Sequence, residues 1–131
     1  MDDANVPSLL SLPYLGCCAA DDPMYLRTRR FILSEDNPYY FKGSCACGVG
    51  SPHTPSQYVW AMALAMQGFT AATREEMKHC LDLLVVSDGG RGRMHEGFDV
   101  NDPTRYTRAW FTPSDAFFAE YVEFCAEKGI V

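Results

Sequence analysis

Glu96 lies in Met94-His95-Glu96-Gly97-Phe98, twelve residues before Arg108 of the group Arg108-Ala109-Trp110-Phe111. A carboxylate set among a histidine, a glycine and aromatic groups costs free energy to desolvate. It is therefore either well hydrogen-bonded or used to move a proton. The segment is too irregular for an ordinary helix. Two further stretches, Asp2-Asp3-Ala4-Asn5-Val6-Pro7 and Gly48-Val49-Gly50-Ser51-Pro52-His53-Thr54-Pro55, carry polar residues into Gly/Pro-shaped turns just ahead of apolar runs.

Helices must position these groups, and their punctuation is legible. Thr54-Pro55-Ser56-Gln57 reads as an N-cap, a proline in the first turn and a capping-box glutamine. It predicts a helix over 55–67 that stops at Gly68. This helix is apolar on every side, too short to span a bilayer, and must be covered all round by protein. Thr73-Arg74-Glu75-Glu76 is a second capping box. Met77, Cys80, Leu81, Leu84 and Val85 follow at spacings of three and four, which gives an amphipathic outer helix with His79 on its solvated face. Asp22-Pro23 opens a helix through Leu33, and Thr112-Pro113 opens another that ends at Gly129. A short helix is expected between Pro7 and Pro13. Gly-, Pro- and aromatic-rich loops fill 35–53 and 87–107, with room for a short hairpin in 89–98.

The expected fold class is all-α, as part of a two-layered toroid of inner and outer helices with a site built from the loops at one rim. About five helices cannot surround a segment as apolar as 55–67. The 131 residues are therefore expected to form one portion of a larger catalytic domain, or to associate.

Composition narrows the function classes. Net charge is −6, which disfavours nucleic acid, whose phosphates reward clustered Lys and Arg. The basic run Arg27-Thr28-Arg29-Arg30 reads first as a solvated helix face. No apolar run reaches the roughly 18 residues of a membrane span. The opening Met-Asp-Asp-Ala-Asn is acidic where a secretory signal would be basic, and nothing here fixes the compartment. Among the six cysteines, the pairs Cys17-Cys18 and Cys45-Ala46-Cys47 have spacings that suit one metal poorly. A disulfide from Cys45 or Cys47 is the stronger expectation, and Cys80 and Cys125 read as small buried hydrophobes.

Taken together, DDANVPSLLSLPYLG, GVGSPHTPSQYVWAMALAMQGFT, MHEGFDVNDPTRYTRAWF and FFAEYVEF resemble the C-terminal part of glycoside hydrolase family 125. The resemblance covers nearly the whole chain, in order. It implies an (α/α)6 barrel, a metal-independent exo-α-1,6-mannosidase that inverts anomeric configuration, no cofactor, and a mannose-containing oligosaccharide as substrate. It also implies that Glu96 is the general base. The family's general acid is an aspartate in an Arg-Pro-Ser-Asp-Asp type motif, upstream of the stretch matched by Asp2-Asp3-Ala4-Asn5, and this chain has no such motif. The chain is then expected to need the N-terminal part of the barrel as a partner and to be inactive alone. The alternative is a non-catalytic helical fragment that binds carbohydrate or another protein. Three departures stand out: Ala61 follows Trp60 where the family commonly has proline, Gly97 follows His95-Glu96 in place of serine, and Thr112-Pro113-Ser114-Asp115 replaces the pattern after Trp110-Phe111.

Each candidate also has a plain reading. Asp2, Asp3 and Asn5 suit vicinal sugar hydroxyls, or they cap the turn at Pro7. His53 donates to sugar oxygens at a helix start, or shapes a turn. His95 orients the base or binds a hydroxyl, or is a structural imidazole. Arg108 clamps a carboxylate, Glu96 or Asp3. Trp110 stacks on a pyranose face, whereas Trp60, inside an apolar run, reads as core. Tyr39, Tyr40 and Phe41 line a subsite or pin their loop.

Overall fold

The computed structural model describes all 131 residues. In chain order it contains α1 (Pro23–Ile32), β1 (Tyr40–Lys42), β2 (Cys47–Val49), β3 (Tyr58–Trp60), α2 (Ala61–Phe69), α3 (Arg74–Val86), β4 (Gly97–Asp99), β5 (Tyr106–Thr107) and α4 (Thr112–Glu127). β1 and β2 form an antiparallel hairpin, and β3, β4 and β5 form a three-stranded antiparallel sheet in that order. The architecture is mixed α/β, which corrects both the all-α expectation and the barrel reading. Strands of two or three residues are too short to display the two-residue alternation that identifies a strand. A fully buried strand such as Tyr58-Val59-Trp60 reads as more of an apolar helix.

The error concentrates at one place. Gln57, expected inside a helix, has φ of 69°, a left-handed conformation that ends any right-handed helix before it starts. Pro55 and Tyr58 close a turn instead, through Tyr58 N–H to Pro55 O. The hydroxyl expected to cap backbone amides, that of Thr54, accepts the Trp60 indole N–H at 3.0 Å. Three extended residues follow, and α2 begins only at Ala61.

The other boundaries follow the side chains more closely. Asp22 caps α1 by accepting from the amides of Met24 and Tyr25, and Thr73 caps α3 by accepting from Glu76 N. α4 starts at Thr112 with proline in its first turn and no side-chain cap. The expected helix between Pro7 and Pro13 is absent: residues 10–16 form consecutive turns that end at Gly16, φ 72°. The hairpin expected in 89–98 lies later, between β4 and β5.

α2 is the centre of the molecule. Ala61 to Met66 are all buried. Ala61, Leu64 and Ala65 pack with Cys80, Leu81 and Leu84 of α3 and with Tyr121 and Cys125 of α4. Met62, Ala63 and Met66 pack on the other side with Ala4, Leu10, Ile32, Val49 and Trp60. An all-apolar helix does need cover on every side, and here these residues supply it themselves. Its greasiness therefore implies no missing neighbour. Gly68 lets α4 approach: a Cβ there would run into the Tyr121 side chain, whose hydroxyl donates to Met77 O at 2.8 Å. All six cysteines are free thiols, so the expected disulfide is not formed. No helix is long and apolar enough to cross a membrane.

Candidate active site

The antiparallel register sets the site. Gly97 pairs with Thr107 and Phe98 with Tyr106. One step further along the same ladder, Glu96 stands opposite Arg108, so the two side chains form a cross-strand pair. Arg108 Nε lies 3.3 Å from Glu96 Oε1. The guanidinium also stands over the Phe111 ring, 5.5 Å from its centroid, a cation–π contact that fixes its plane. Arg108 adopts φ of 53°. A non-glycine residue in this region stores about 1 kcal/mol or more of strain and persists only where its surroundings hold it.

What holds it is His95. The imidazole is 1% exposed and stacks flat on Tyr106, with centroids 3.6 Å apart. Its Nδ1 lies 3.0 Å from Arg108 O and its Nε2 lies 3.0 Å from Asp88 O. Adjacent residues of an extended chain point to opposite faces. His95 therefore goes into the interior when Glu96 faces the cleft, and the ring, buried and bonded to two backbone carbonyls, acts as a structural imidazole. Asp88 closes the turn beyond it: its carboxylate accepts from Gly90 N and Gly92 N, at 2.8 and 2.9 Å, and these two amides hold its pKa below the ordinary value.

The Glu96 side chain is 12% exposed. It lines a cleft of about 390 Å³ together with Asn5, His53, Trp60, Arg108 and Phe111. Arg108 is its one charged partner. Gly97 makes room for the cleft wall, because a Cβ on it would stand 3.0 Å from Cδ1 of the Trp60 indole across the β3–β4 ladder. Trp60 is thus both buried, at 3%, and part of the cleft.

The remaining predicted residues divide. Asn5 reaches the cleft. Its side-chain amide donates to Asp3 Oδ1 at 2.8 Å and to Ser51 Oγ at 3.2 Å, which leaves its carbonyl oxygen without a protein partner. Asp3 acts through Asn5: its Oδ1 also takes Asn5 N–H at 2.8 Å, and the residue does not line the cleft. Asp2 accepts from Leu10 N at 3.2 Å, and burial raises its pKa despite the backbone hydrogen bonds. It works as a cap. His53 is exposed at the rim, 6.5 Å from the Trp60 ring. Trp110 is 67% exposed, donates to Thr112 Oγ1 and lies outside the cleft. Its neighbour Phe111 takes the place expected of it. Alternation from Arg108 would put Trp110, not Phe111, on the cleft face, so no local pattern in 108–111 announced Phe111. Tyr40 lies away from the cleft, where burial and its contact with Cys47 push its hydroxyl far above the ordinary value. No group of three or more His, Cys, Asp or Glu side chains is placed to hold a metal ion.

Comparison with known proteins identifies the family of the chain. The family model for metal-independent α-mannosidase, glycoside hydrolase family 125, matches residues 1–123. The Meiotically up-regulated gene 157 protein of Schizosaccharomyces pombe is 50% identical over 123 residues, covering 93% of this chain and 24% of the yeast protein. A Streptococcus pneumoniae metal-independent α-mannosidase, solved as a non-productive complex with α-1,6-mannobiose, superposes with a TM-score of 0.91 at 53% identity. That match covers 93% of this chain and 29% of the bacterial one. The chain thus spans less than a third of the length of each of these relatives, and it belongs to the metal-independent α-mannosidases of glycoside hydrolase family 125.

Proposed function

We propose that this chain carries the general-base half of an inverting exo-α-1,6-mannosidase site, with Glu96 activating the water that attacks a terminal mannose. The observation that carries the reading is the position of the Glu96 carboxylate. It opens on a cleft walled by two aromatic rings and edged by Asn5, His53 and Arg108. In inverting hydrolysis one carboxylic acid protonates the leaving oxygen. A second carboxylate, on the opposite ring face, takes a proton from water, the two standing roughly 6.5–9.5 Å apart. Arg108 at Oε1 steers the carboxylate and leaves Oε2 for the water. The free carbonyl of Asn5 accepts from a sugar hydroxyl, and His53 offers a ring nitrogen. Trp60 and Phe111 give the apolar C–H face of the pyranose a surface to lie on.

The acid comes from elsewhere. Asp2 is committed to Leu10 N and Asp3 to Asn5, and the Arg-Pro-Ser-Asp-Asp type motif does not occur in the sequence. The other part of a full-length family domain is the partner that would supply it. Without that partner the chain acts as a mannoside-binding module, a reading favoured by the closed cover around α2.

The test is NMR titration of isotope-labelled chain with α-1,6-mannobiose. Shifts confined to Asn5, His53, Trp60, Glu96, Arg108 and Phe111 are the expected result. Shifts elsewhere, or none up to solubility-limited sugar, refute the site.

A further inference from the structure

His95 presents both ring nitrogens to oxygens that can only accept. Nδ1 lies 3.0 Å from Arg108 O, and Nε2 lies 3.0 Å from Asp88 O. A neutral imidazole has one N–H and a bare lone pair on its other nitrogen. In either tautomer that lone pair would face a carbonyl oxygen at hydrogen-bond distance. Turning the ring over offers no escape, because Cδ2 and Cε1 would then point at the two oxygens. The residue is 1% exposed, so water has no room to stand in, and a buried polar group left unsatisfied costs about 1–3 kcal/mol. With a proton on each nitrogen, both contacts become charge-assisted hydrogen bonds.

The surroundings suit a cation. Tyr106 of β5 lies flat against the ring, with 3.6 Å between centroids and 5° between planes, so its π face covers the charge. The turn over 88–92 supplies a counter-charge. After the amides of Gly90 and Gly92, attraction to His95 is among the causes that keep the Asp88 carboxyl below its ordinary pKa. Gly89, at φ of 56°, lets that turn close over the pair: a Cβ on it would stand 2.8 Å from the Tyr106 ring and 3.3 Å from His95 Nε2. The other charged groups nearby have partners of their own. Arg91 donates to the Tyr106 hydroxyl at 3.0 Å. The Arg108 guanidinium is turned to Glu96 and Phe111 on the cleft side. From α4, Asp115 accepts from Met94 N and stands 3.8 Å from Arg93.

We infer that His95 is a positioning residue that acts as a doubly protonated imidazolium: its two N–H groups tie the 88–92 turn to the backbone of Arg108, and so hold the arginine that pairs with Glu96. Loss of either proton releases one carbonyl. A released Arg108 O frees a residue at φ of 53° to leave the left-handed region, and Glu96 then loses its charged partner. Release of Asp88 O loosens the turn that covers the ring. The cleft is therefore in its binding form only while His95 keeps both protons. The effect on mannoside binding rests on the function proposed for the cleft, whereas the protonation state of the ring does not.

Nitrogen-15 NMR of the ring, with the Arg108 amide followed in the same samples, tests both parts. At neutral pH both His95 nitrogens should give the signal of a protonated nitrogen. As pH is raised until one proton leaves, the Arg108 amide and the Glu96 side chain should respond with the same midpoint. Affinity for α-1,6-mannobiose should fall by about tenfold over that step, the effect of one lost charge-assisted hydrogen bond. By reciprocity, saturating mannobiose should move the midpoint to higher pH. His95→Gln, which cannot donate in both directions, should abolish the response at Arg108. Tyr106→Leu, which keeps an apolar cover and strips the π face, should let the proton leave at lower pH. One bare ring nitrogen at neutral pH overturns the inference, and so does a ring that titrates with no response at Arg108. A chain that binds no mannobiose at any pH sinks the sugar reading alone, because the ring and Arg108 signals still decide the role of His95.

Discussion

The buried ring of His95 lies 3.0 Å from the carbonyl oxygen of Arg108, so the residue before the candidate base is tied to the backbone of the residue that pairs with that base. The tie matters because Arg108 sits at positive φ, where a free chain would not leave it. The histidine stands outside the cleft and shapes it through the backbone.

Replacing Glu96 with Gln in a full-length family enzyme that shares this motif keeps size and shape and removes the proton acceptor. General-base removal costs about 10² to 10⁴ in rate. The expected result is a fall of that order in kcat with mannoside binding retained. Full activity in the variant would rule out the role, and steady-state kinetics alongside calorimetry would read both quantities.

Incubated by itself with α-1,6-mannobiose, the 131-residue chain should release no mannose above the uncatalysed rate, because protonation of the leaving oxygen has no donor. Sensitive chromatography of the products checks this. Turnover at an enzyme's usual rate would mean that an acid within the chain had been overlooked.

Arg108 separates strain from chemistry. Arg108→Gly relieves the left-handed backbone and Arg108→Ala does not, so the glycine variant should be the more stable of the two by about 1 kcal/mol. Both should bind mannobiose more weakly than the parent. Urea denaturation compares the pair. Equal stabilities would show that the backbone at 108 relaxes once the guanidinium is gone.

Gly68→Ala puts a methyl group into the Tyr121 side chain, between α2 and α4. Overpacking of a tight core costs typically about 1–3 kcal/mol, so a lower denaturation midpoint is expected. A neutral effect would mean that the two helices can separate at little cost.

The pKa of Asp2 is raised above 3.8 by burial. The folded state thus holds that proton more tightly than the unfolded chain does. Its contribution to stability declines as pH rises through the interval from 3.8 to the folded value, and the cost is complete above it. Asp2→Asn, which can still accept from Leu10 N, should therefore raise the melting temperature near neutral pH. The gain should shrink as pH falls toward 3.8. A gain that does not change with pH would place its origin elsewhere.

The sequence by itself determined a good deal. The caps at Asp22 and Thr73 are local, made by side chains two or three residues from the amides they satisfy, so they read correctly from a short window. The apolar run that became α2 marked the centre of the core whatever its precise start. Glu96 and Arg108 stood out by residue type, and the long motifs carried the family. What the sequence could not supply depends on contacts across the chain. Strands of two or three residues acquire their identity from a partner: Trp60 is extended because Gly97 pairs with it, and Glu96 meets Arg108 because the β4–β5 register sets them opposite. Tertiary structure decided that His95 turns inward, that Phe111 and not Trp110 walls the cleft, and that Gln57 breaks a helix its neighbours announced. The physical reason is the same in each case. A cap is satisfied within one turn of helix, whereas a side chain's face is chosen by which strand it lies against and which surface that strand buries.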